Sequence, residues 1–120
     1  KDELLKIIGD IKGKNVFDLG CGTGRMIPEL KKRGANITAV DISEEALKIV
    51  GNKFSDIKTV LADANNLPFK EESFDFVLAT FLIVHIKDLN PAFDEIYRVL
   101  KNKGRFILSN INQRKSPKLK

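Results

Sequence analysis

The sequence predicts an α/β domain in which a parallel, doubly wound sheet carries helices on both faces. Short apolar segments of strand length recur along the chain, and segments with helix-capping residues or helical periodicity separate them. The first apolar segment, at residues 16–19, runs directly into three glycines at alternate positions. A strand that passes through glycines into a helix is typical of open α/β sheets that bind a ligand at the carboxyl ends of their strands.

The glycine loop predicts a small polar ligand. Without β-carbons, its glycines let a ligand approach the backbone, and the predicted helix that follows, Arg25–Arg33, adds free amide donors. A dinucleotide fingerprint requires glycines at the first, third and sixth positions, but the sixth position here is Arg25, which disfavours a nicotinamide-dependent oxidoreductase. The loop glycines are Gly20, Gly22 and Gly24.

Residues 18–24 read Asp-Leu-Gly-Cys-Gly-Thr-Gly, with Asp18 two positions before the first glycine. This stretch resembles the first motif of the class I methyltransferases that use S-adenosyl-L-methionine. Once the families that carry other acceptor motifs are set aside, the chain resembles the ubiquinone/menaquinone-type small-molecule group. The resemblance covers roughly Asn15 to Ser109. It implies a Rossmann-like sheet in the order 3-2-1-4-5 and methyl transfer to a small-molecule acceptor by in-line displacement. The C-terminal antiparallel hairpin of the family is expected to be absent.

The resemblance also implies roles for the other residues of the first motif. We expect Asp18 to orient the glycine loop or to reach the methionine amino group of the cofactor through water. Cys21 matches the commonest family residue between the glycines, and we expect it to bind the cofactor as part of this loop. It needs no reactive role, because a reactive thiol requires a lowered pKa. A single cysteine excludes an internal disulfide and a multi-cysteine zinc site, and we expect no metal.

The predicted second strand, Asn36–Val40, ends at an acidic residue. Asp41 lies 21 positions after Gly20, and an acid at that spacing is suited to accept hydrogen bonds from ribose hydroxyls. Because Ser43 is a good N-cap for the next helix, Asp41 is not needed for capping. We therefore expect Asp41 to bind the ribose, and the resemblance places Ile42 beside the adenine.

The predicted third strand, Ile57–Ala62, also ends at an acid. The resemblance places Asp63 near the adenine amino group, which is a donor that suits an acidic acceptor, and the Ala64 amide toward the ring. The Leu-Pro-Phe sequence at residues 67–69 resembles a family loop that packs under the next strand, so we interpret it as structural.

The predicted fourth strand, Phe74–Ala79, leads into the expected acceptor side of the site. We interpret Asp75 as structural because it precedes the carboxyl end of the strand. Thr80 and Phe81 are expected to line the methionine end of the cofactor and the acceptor pocket. His85, the only histidine, is the catalytic candidate, either as a base or in orienting the acceptor; a packing role is the alternative.

The C-terminal part predicts a helix over Asn90–Asn102 and a fifth strand over Arg105–Ser109. We therefore divide the chain into a methyltransferase core at residues 1–109 and a basic, frayed tail at residues 110–120. The apolar fifth strand would lie at an uncovered edge. Either the chain is part of a longer protein, or a homodimer covers this edge.

Composition limits the number of domains, the cellular location and the classes of binding partner. The length of 120 residues and the 42% hydrophobic content suit one domain, and the sequence contains no candidate membrane span or signal peptide, which favours the cytoplasm. The net charge is +5, and residues 96–120 contain eight basic side chains and no acids. This charge predicts either a solubilising tail or, less favoured, an arm that binds RNA or an acidic partner.

Two observations narrow the function without naming the acceptor. The Asn/Asp-Pro-Pro-Tyr/Phe motif of the families that methylate exocyclic amino groups is missing after the fourth strand, and Cys21 is wrongly placed for a cytosine-carbon nucleophile. A small-molecule acceptor therefore remains favoured over RNA. The alternative is a non-catalytic cofactor-binding subunit that needs a partner.

Overall fold

The computed structural model describes residues 8–22, 24–79 and 90–108. Within these ranges five strands form one sheet in the order β3-β2-β1-β4-β5, and every neighbouring pair is parallel. The predicted fold class and strand order are therefore confirmed. The strands are β1 (Asn15–Leu19), β2 (Asn36–Asp41), β3 (Lys58–Leu61), β4 (Phe74–Ala79) and β5 (Leu100–Leu108).

Helices connect the strands and begin where local sequence signals favour them. The Ser43 side chain accepts a hydrogen bond from the Ala46 amide at 3.1 Å, which confirms it as the N-cap of the second helix. The first helix begins two residues later than predicted, because residues 24–26 form a turn and Pro28 occupies the first helical turn. The helices are α1 (Ile27–Lys32), α2 (Glu44–Lys53) and α3 (Asn90–Val99).

The sheet separates two hydrophobic cores. Side chains of β1 alternate between its faces, so that Val16 lies in one core while Phe17 and Leu19 lie in the other. The first core includes side chains of α1 and α2: Ile27, Leu30, Leu47 and Val50. The second includes side chains of α3: Ala92, Ile96 and Val99. Burying both faces of β1 fixes it at the centre of the sheet.

The boundary between α3 and β5 differs from the prediction. We expected the helix to continue to Asn102, but it ends at Val99 and the next residue already pairs with Phe74. The pairing then shifts, so that Phe76 lies beside Arg105, and the residues between form a bulge. Gly104 lies in this bulge and does not end the helix. A β-carbon there would lie 3.0 Å from the Lys101 carbonyl oxygen.

This topology brings the candidate residues to one edge of the sheet. Strand order reverses at β1, whose neighbours β2 and β4 lead away in opposite directions, and ligands of open α/β sheets bind at such a switch point. At the far side of the sheet, β5 pairs only with β4 among the described strands, and Leu108 is 36% exposed. No described helix is long and apolar enough to cross a membrane.

Candidate ligand-binding site at the carboxyl ends of the strands

The glycine loop folds back over the end of β2. Gly20 and Gly22 have φ of 70° and 57°, values that side-chain-bearing residues rarely adopt. The amides of Gly20 and Cys21 both donate to the Val40 carbonyl oxygen, at 2.8 and 3.2 Å. The loop that follows β1 is therefore attached to β2 at the position just before Asp41.

Asp41 joins the glycine loop to the start of α2. One carboxylate oxygen accepts a hydrogen bond from the Gly22 amide at 2.9 Å, and the other accepts one from the Ser43 amide, also at 2.9 Å. Sequence reasoning assigned Asp41 to a ligand alone, whereas the structure gives it a second, structural role. Each carboxylate oxygen has a further lone pair, so Asp41 can still accept hydrogen bonds from a diol.

Asp18 is a buried carboxyl group, and one of its two oxygens has no hydrogen-bond partner among the described residues. It is 1% exposed and is the only polar side chain of the buried class within the described ranges. Its Oδ1 atom has no hydrogen-bond partner there. Burial raises the pKa of Asp18 to about 7, and the nearby charge of Asp41 adds to the rise. A donor or a cation beside this oxygen would remove a large energetic penalty.

Cys21 is unsuited to nucleophilic chemistry. Its side chain is 2% exposed and packs in the first core, and its thiol donates to the Gly22 carbonyl oxygen at 3.6 Å. Burial raises the pKa of the thiol far above its ordinary value, and the charges of Asp18 and Asp41 add to this. The structure therefore agrees with the expectation that Cys21 has no reactive role.

Gly24 has a packing role. Its φ is 87°, and a β-carbon would lie 3.1 Å from the Phe54 ring, 3.2 Å from Ile27 and 3.3 Å from Val50. Gly24 thus permits the close approach of the loop to α1 and α2. Contact between Gly24 and a cofactor stays a prediction.

The proposed adenine side lies at the ends of β2 and β3. Ile42 is 64% exposed and Leu61 is 56% exposed, so two apolar side chains face solvent near the end of neighbouring strands. The Asp63 side chain accepts from the Asn65 amide at 3.0 Å and stabilises a turn that contains the buried Ala64. This exposed apolar surface suits a planar heterocycle.

A charged pair that sequence reasoning did not identify holds the loop after this turn. Glu95 accepts from the Leu67 amide at 2.7 Å, while Arg98 donates to the carbonyl oxygens of Leu67 and Phe69 at 2.8 and 2.7 Å. Glu95 and Arg98 also pair with each other. Their spacing of three residues on a predicted helix was the available signal. The expectation that residues 67–69 are structural agrees with these contacts.

Four predictions concern residues that lie outside the described ranges: Thr80, Phe81, His85 and the tail at residues 110–120. Asp75 is described and is structural, as expected. It accepts from the Asn15 amide at 2.8 Å and pairs with Lys101 at 3.3 Å. No group of three or more potential metal ligands occurs among the described residues.

The donors and acceptors of this site suit a nucleoside that carries an amino-acid group with a free ammonium. Asp41 offers acceptors for hydroxyl groups, and Asp18 offers an unsatisfied buried oxygen for an ammonium group. Ile42 offers an apolar surface for a base. Asp18 lies near the carboxyl end of β1, Asp41 is the last residue of β2, and Ile42 follows it; the glycine loop links these two strands. S-adenosyl-L-methionine carries a ribose diol, an ammonium group and adenine, so the residues present fit it.

Comparison with known proteins gives the same result. A family model described as a methyltransferase domain matches residues 17–108. The chain is 38% identical over 119 residues to the ubiquinone/menaquinone biosynthesis C-methyltransferase UbiE of Rickettsia bellii, covering 89% of this chain and 48% of that protein. It is 32% identical over 110 residues to the demethylmenaquinone methyltransferase of Thermotoga maritima, with coverages of 90% and 48%.

A solved structure has a similar fold. The PH0226 protein of Pyrococcus horikoshii matches with a TM-score of 0.85 and 32% identity over 98% of this chain and 58% of that one. The chain spans about half the length of the curated relatives it matches. The family match runs from within β1 to the end of β5 and so includes the glycine loop and every strand end of the site. Through this continuous match, the chain belongs to the methyltransferase domain family.

Proposed function

We propose that this chain binds S-adenosyl-L-methionine at the carboxyl ends of β1, β2 and β3 and transfers its methyl group to a small-molecule acceptor. The observation that carries the proposal is the hydrogen bond between Asp41 and the Gly22 amide at 2.9 Å. This bond brings an acceptor for a ribose diol directly beside a backbone that lacks β-carbons, which is the arrangement that an adenosyl ligand needs.

The protein's own contribution is binding and alignment. Asp41 binds the ribose while it keeps the glycine loop against α2, and Ile42, Asp63 and Ala64 surround the adenine. Asp18 receives the ammonium end. The cofactor supplies a methyl group that is already activated by its sulfonium, so no nucleophilic residue is required. Holding the acceptor in line, about 3 Å from that methyl group, is the main catalytic task.

We propose an acceptor of the quinone class. The two relatives compared above carry names that refer to ubiquinone, menaquinone or demethylmenaquinone, and this supports an aromatic ring carbon as the acceptor atom. An electron-rich ring carbon needs little general-base assistance. The assignment of His85 as a base therefore stays a prediction, together with Thr80 at the methionine end. A cytoplasmic location also stays a prediction.

The experiment that tests cofactor binding is calorimetric titration of the chain with S-adenosylhomocysteine and, separately, with NAD. We expect saturable binding of S-adenosylhomocysteine and none of NAD. Binding of NAD alone would contradict the proposal and would favour an oxidoreductase.

A second experiment tests transfer. The chain is incubated with methyl-labelled S-adenosyl-L-methionine and a panel of short-chain demethylated quinols, and label in the organic phase is counted. Label in a quinol supports the enzymatic proposal. Cofactor binding without transfer to any acceptor favours the alternative of a non-catalytic subunit that needs a partner.

Two further predictions concern partners. A homodimer through the β5 edge predicts a sedimentation coefficient that rises with protein concentration, because an unpaired strand edge favours association. An RNA-binding tail predicts salt-dependent binding of labelled RNA that is lost when residues 110–120 are deleted. A monomer at all concentrations, or RNA binding unaffected by the deletion, would contradict the respective prediction.

A further inference from the structure

A buried carboxyl group lies near the glycine loop and Asp41, and no cation among the described residues acts on its pKa. Asp18 lies in β1 between Ala39 of β2 and Leu78 of β4, the residues that pair with it on either side. Both neighbours are apolar and fully buried. The core on this face of the sheet contains Cys21 and Met26 from the glycine loop and the turn that follows it.

The charged groups that act on Asp18 do not include a cation among the described residues. Burial and the carboxylate of Asp41 both favour the protonated form of Asp18, and Cys21 is held as a neutral thiol. Arg25, which follows the glycine loop, is exposed. Two carboxyl groups close together in a water-poor environment do not both ionise readily.

We propose that Asp18 keeps a proton in the free protein and exchanges it for the ammonium group of the bound cofactor. This inference rests on the proposed function. The carboxylic acid releases its proton to solvent, and the carboxylate that remains forms an ion pair with the ligand's ammonium. Charge is balanced, because one proton leaves the site as one cation enters it.

Because of this exchange, Asp18 favours ligands that carry a positively charged ammonium group. An ammonium group satisfies the orphan Oδ1 atom and neutralises the carboxylate, whereas an adenosine ligand without an amino-acid end does neither. Such a ligand leaves Asp18 protonated. The difference in binding free energy between the two ligands must therefore depend on pH. Loss of the Asp18 proton is the only source of that dependence.

The test is calorimetry of the full chain with two probes, S-adenosylhomocysteine and 5′-methylthioadenosine, which lacks the amino-acid end. Each titration is repeated in buffers of different ionisation enthalpy, and the slope counts the protons released. With the pKa of Asp18 at about 7, S-adenosylhomocysteine should release about 0.9 proton at pH 6 and about 0.1 at pH 8. Its dissociation constant should be about tenfold weaker at pH 6 than at pH 8.

The second probe and one variant identify the group that releases the proton. Methylthioadenosine should bind with no proton release and with a pH-independent affinity, although it contacts Asp41 through the same ribose. Asp18→Asn should bind methylthioadenosine normally, which also shows that the variant is folded. It should bind S-adenosylhomocysteine without proton release.

The outcomes separate this inference from the proposed function. Binding of S-adenosylhomocysteine to the native chain without proton release overturns the inference and leaves the proposed function intact. Proton release with methylthioadenosine also overturns it, because the proton would then come from another group. Failure of both probes to bind overturns the proposed function, and the inference fails with it.

Discussion

Gly24 meets two constraints that a side chain would violate. Its φ of 87° belongs to the left-handed region, and a β-carbon would lie within 3.1 to 3.3 Å of three core side chains. Gly51, in α2, is the opposite case: a β-carbon there meets nothing within 4 Å. The two glycines form a matched pair in which the same substitution has effects of opposite sign.

Gly24→Ala should lower the free energy of unfolding by about 2–4 kcal/mol, through backbone strain and overpacking against Phe54, Ile27 and Val50. Gly51→Ala should raise it by about 0.5–1 kcal/mol, because alanine is the better helix former. Urea denaturation of both variants measures the two changes. Equal stability of Gly24→Ala and the native chain would contradict the packing role of Gly24.

Replacing Asp41 should weaken both ligand binding and the folded state, for two different reasons. Asp41→Ala removes the acceptors for the Gly22 and Ser43 amides, so the free energy of unfolding should fall by about 1–3 kcal/mol. Binding of S-adenosylhomocysteine should weaken at least about 100-fold, because the ribose loses its charged acceptor. Calorimetry and urea denaturation measure the two effects.

The matched control for Asp41 is Asp56→Asn. Asp56 is an exposed carboxylate whose side-chain partner is Lys31 at 2.8 Å, and it precedes β3, at the amino ends of the strands. Loss of this exposed pair should leave the free energy of unfolding and the affinity nearly unchanged, because solvent screens exposed ion pairs. Unchanged affinity in Asp41→Ala would remove the ribose assignment.

Residue types and spacing predicted which residues lie together at the candidate site, but they did not predict the hydrogen bonds among those residues. Asp18, the loop glycines and Asp41 all lie at one edge of the sheet, as the pattern indicated. The second role of Asp41 was not predictable, because it requires that the amides of Gly22 and Ser43 both face one carboxylate. The orphan oxygen of Asp18 likewise depends on neighbours from β2 and β4 that only the strand register brings together.

At the scale of elements, all five predicted strands occur, whereas several boundaries were wrong: α1 begins at Ile27 rather than Arg25, and β5 begins at Leu100 rather than Arg105. Local signals at Asn102 and Gly104 favoured a longer α3, but pairing of Leu100 with Phe74 ends the helix at Val99. That pairing joins residues far apart in the chain and has no local sequence signal. Long-range strand pairing therefore overrides helix propensity here.

The link between α3 and the loop at residues 67–69 should contribute to stability. Arg98→Lys removes the planar group that donates to both Leu67 and Phe69 and leaves two partly buried carbonyl oxygens without this donor. We expect a loss of about 1–3 kcal/mol in the free energy of unfolding, measured by urea denaturation. Glu95→Gln should cost less than Arg98→Lys, since an amide oxygen can still accept from Leu67.

The control for this link is Lys31→Ala, which breaks an exposed ion pair with Asp56. It should change the free energy of unfolding much less than Arg98→Lys does, because solvent screens an exposed ion pair. A loss of the same size in Arg98→Lys and Lys31→Ala would contradict the view that the buried backbone contacts of Arg98, rather than its charge, hold the loop.

At the scale of the whole molecule, the sheet buries both faces of β1 and so buries Asp18 as well. Stability and ligand binding thereby compete. The folded chain accepts an uncompensated carboxyl group in its core, and a ligand that supplies a cation relieves the penalty. Conditions that keep Asp18 protonated stabilise the free chain but weaken binding of that cation.

The pH dependence of unfolding tests this competition without any ligand. Because the pKa of Asp18 rises from 3.8 to about 7 on folding, the folded chain retains a proton that the unfolded chain has lost between these values. The contribution of Asp18 to stability is therefore full below pH 3.8 and declines as pH rises to about 7. Glu95 acts oppositely, since the hydrogen bond from Arg98 lowers its pKa and its contribution to stability is lost in acid.

Comparing the native chain with Asp18→Asn isolates the effect of Asp18. Between pH 5 and pH 8 the native chain should lose about 2–3 kcal/mol relative to the variant in urea denaturation. Stability curves that run parallel over this range would show that Asp18 is ionised in the folded chain.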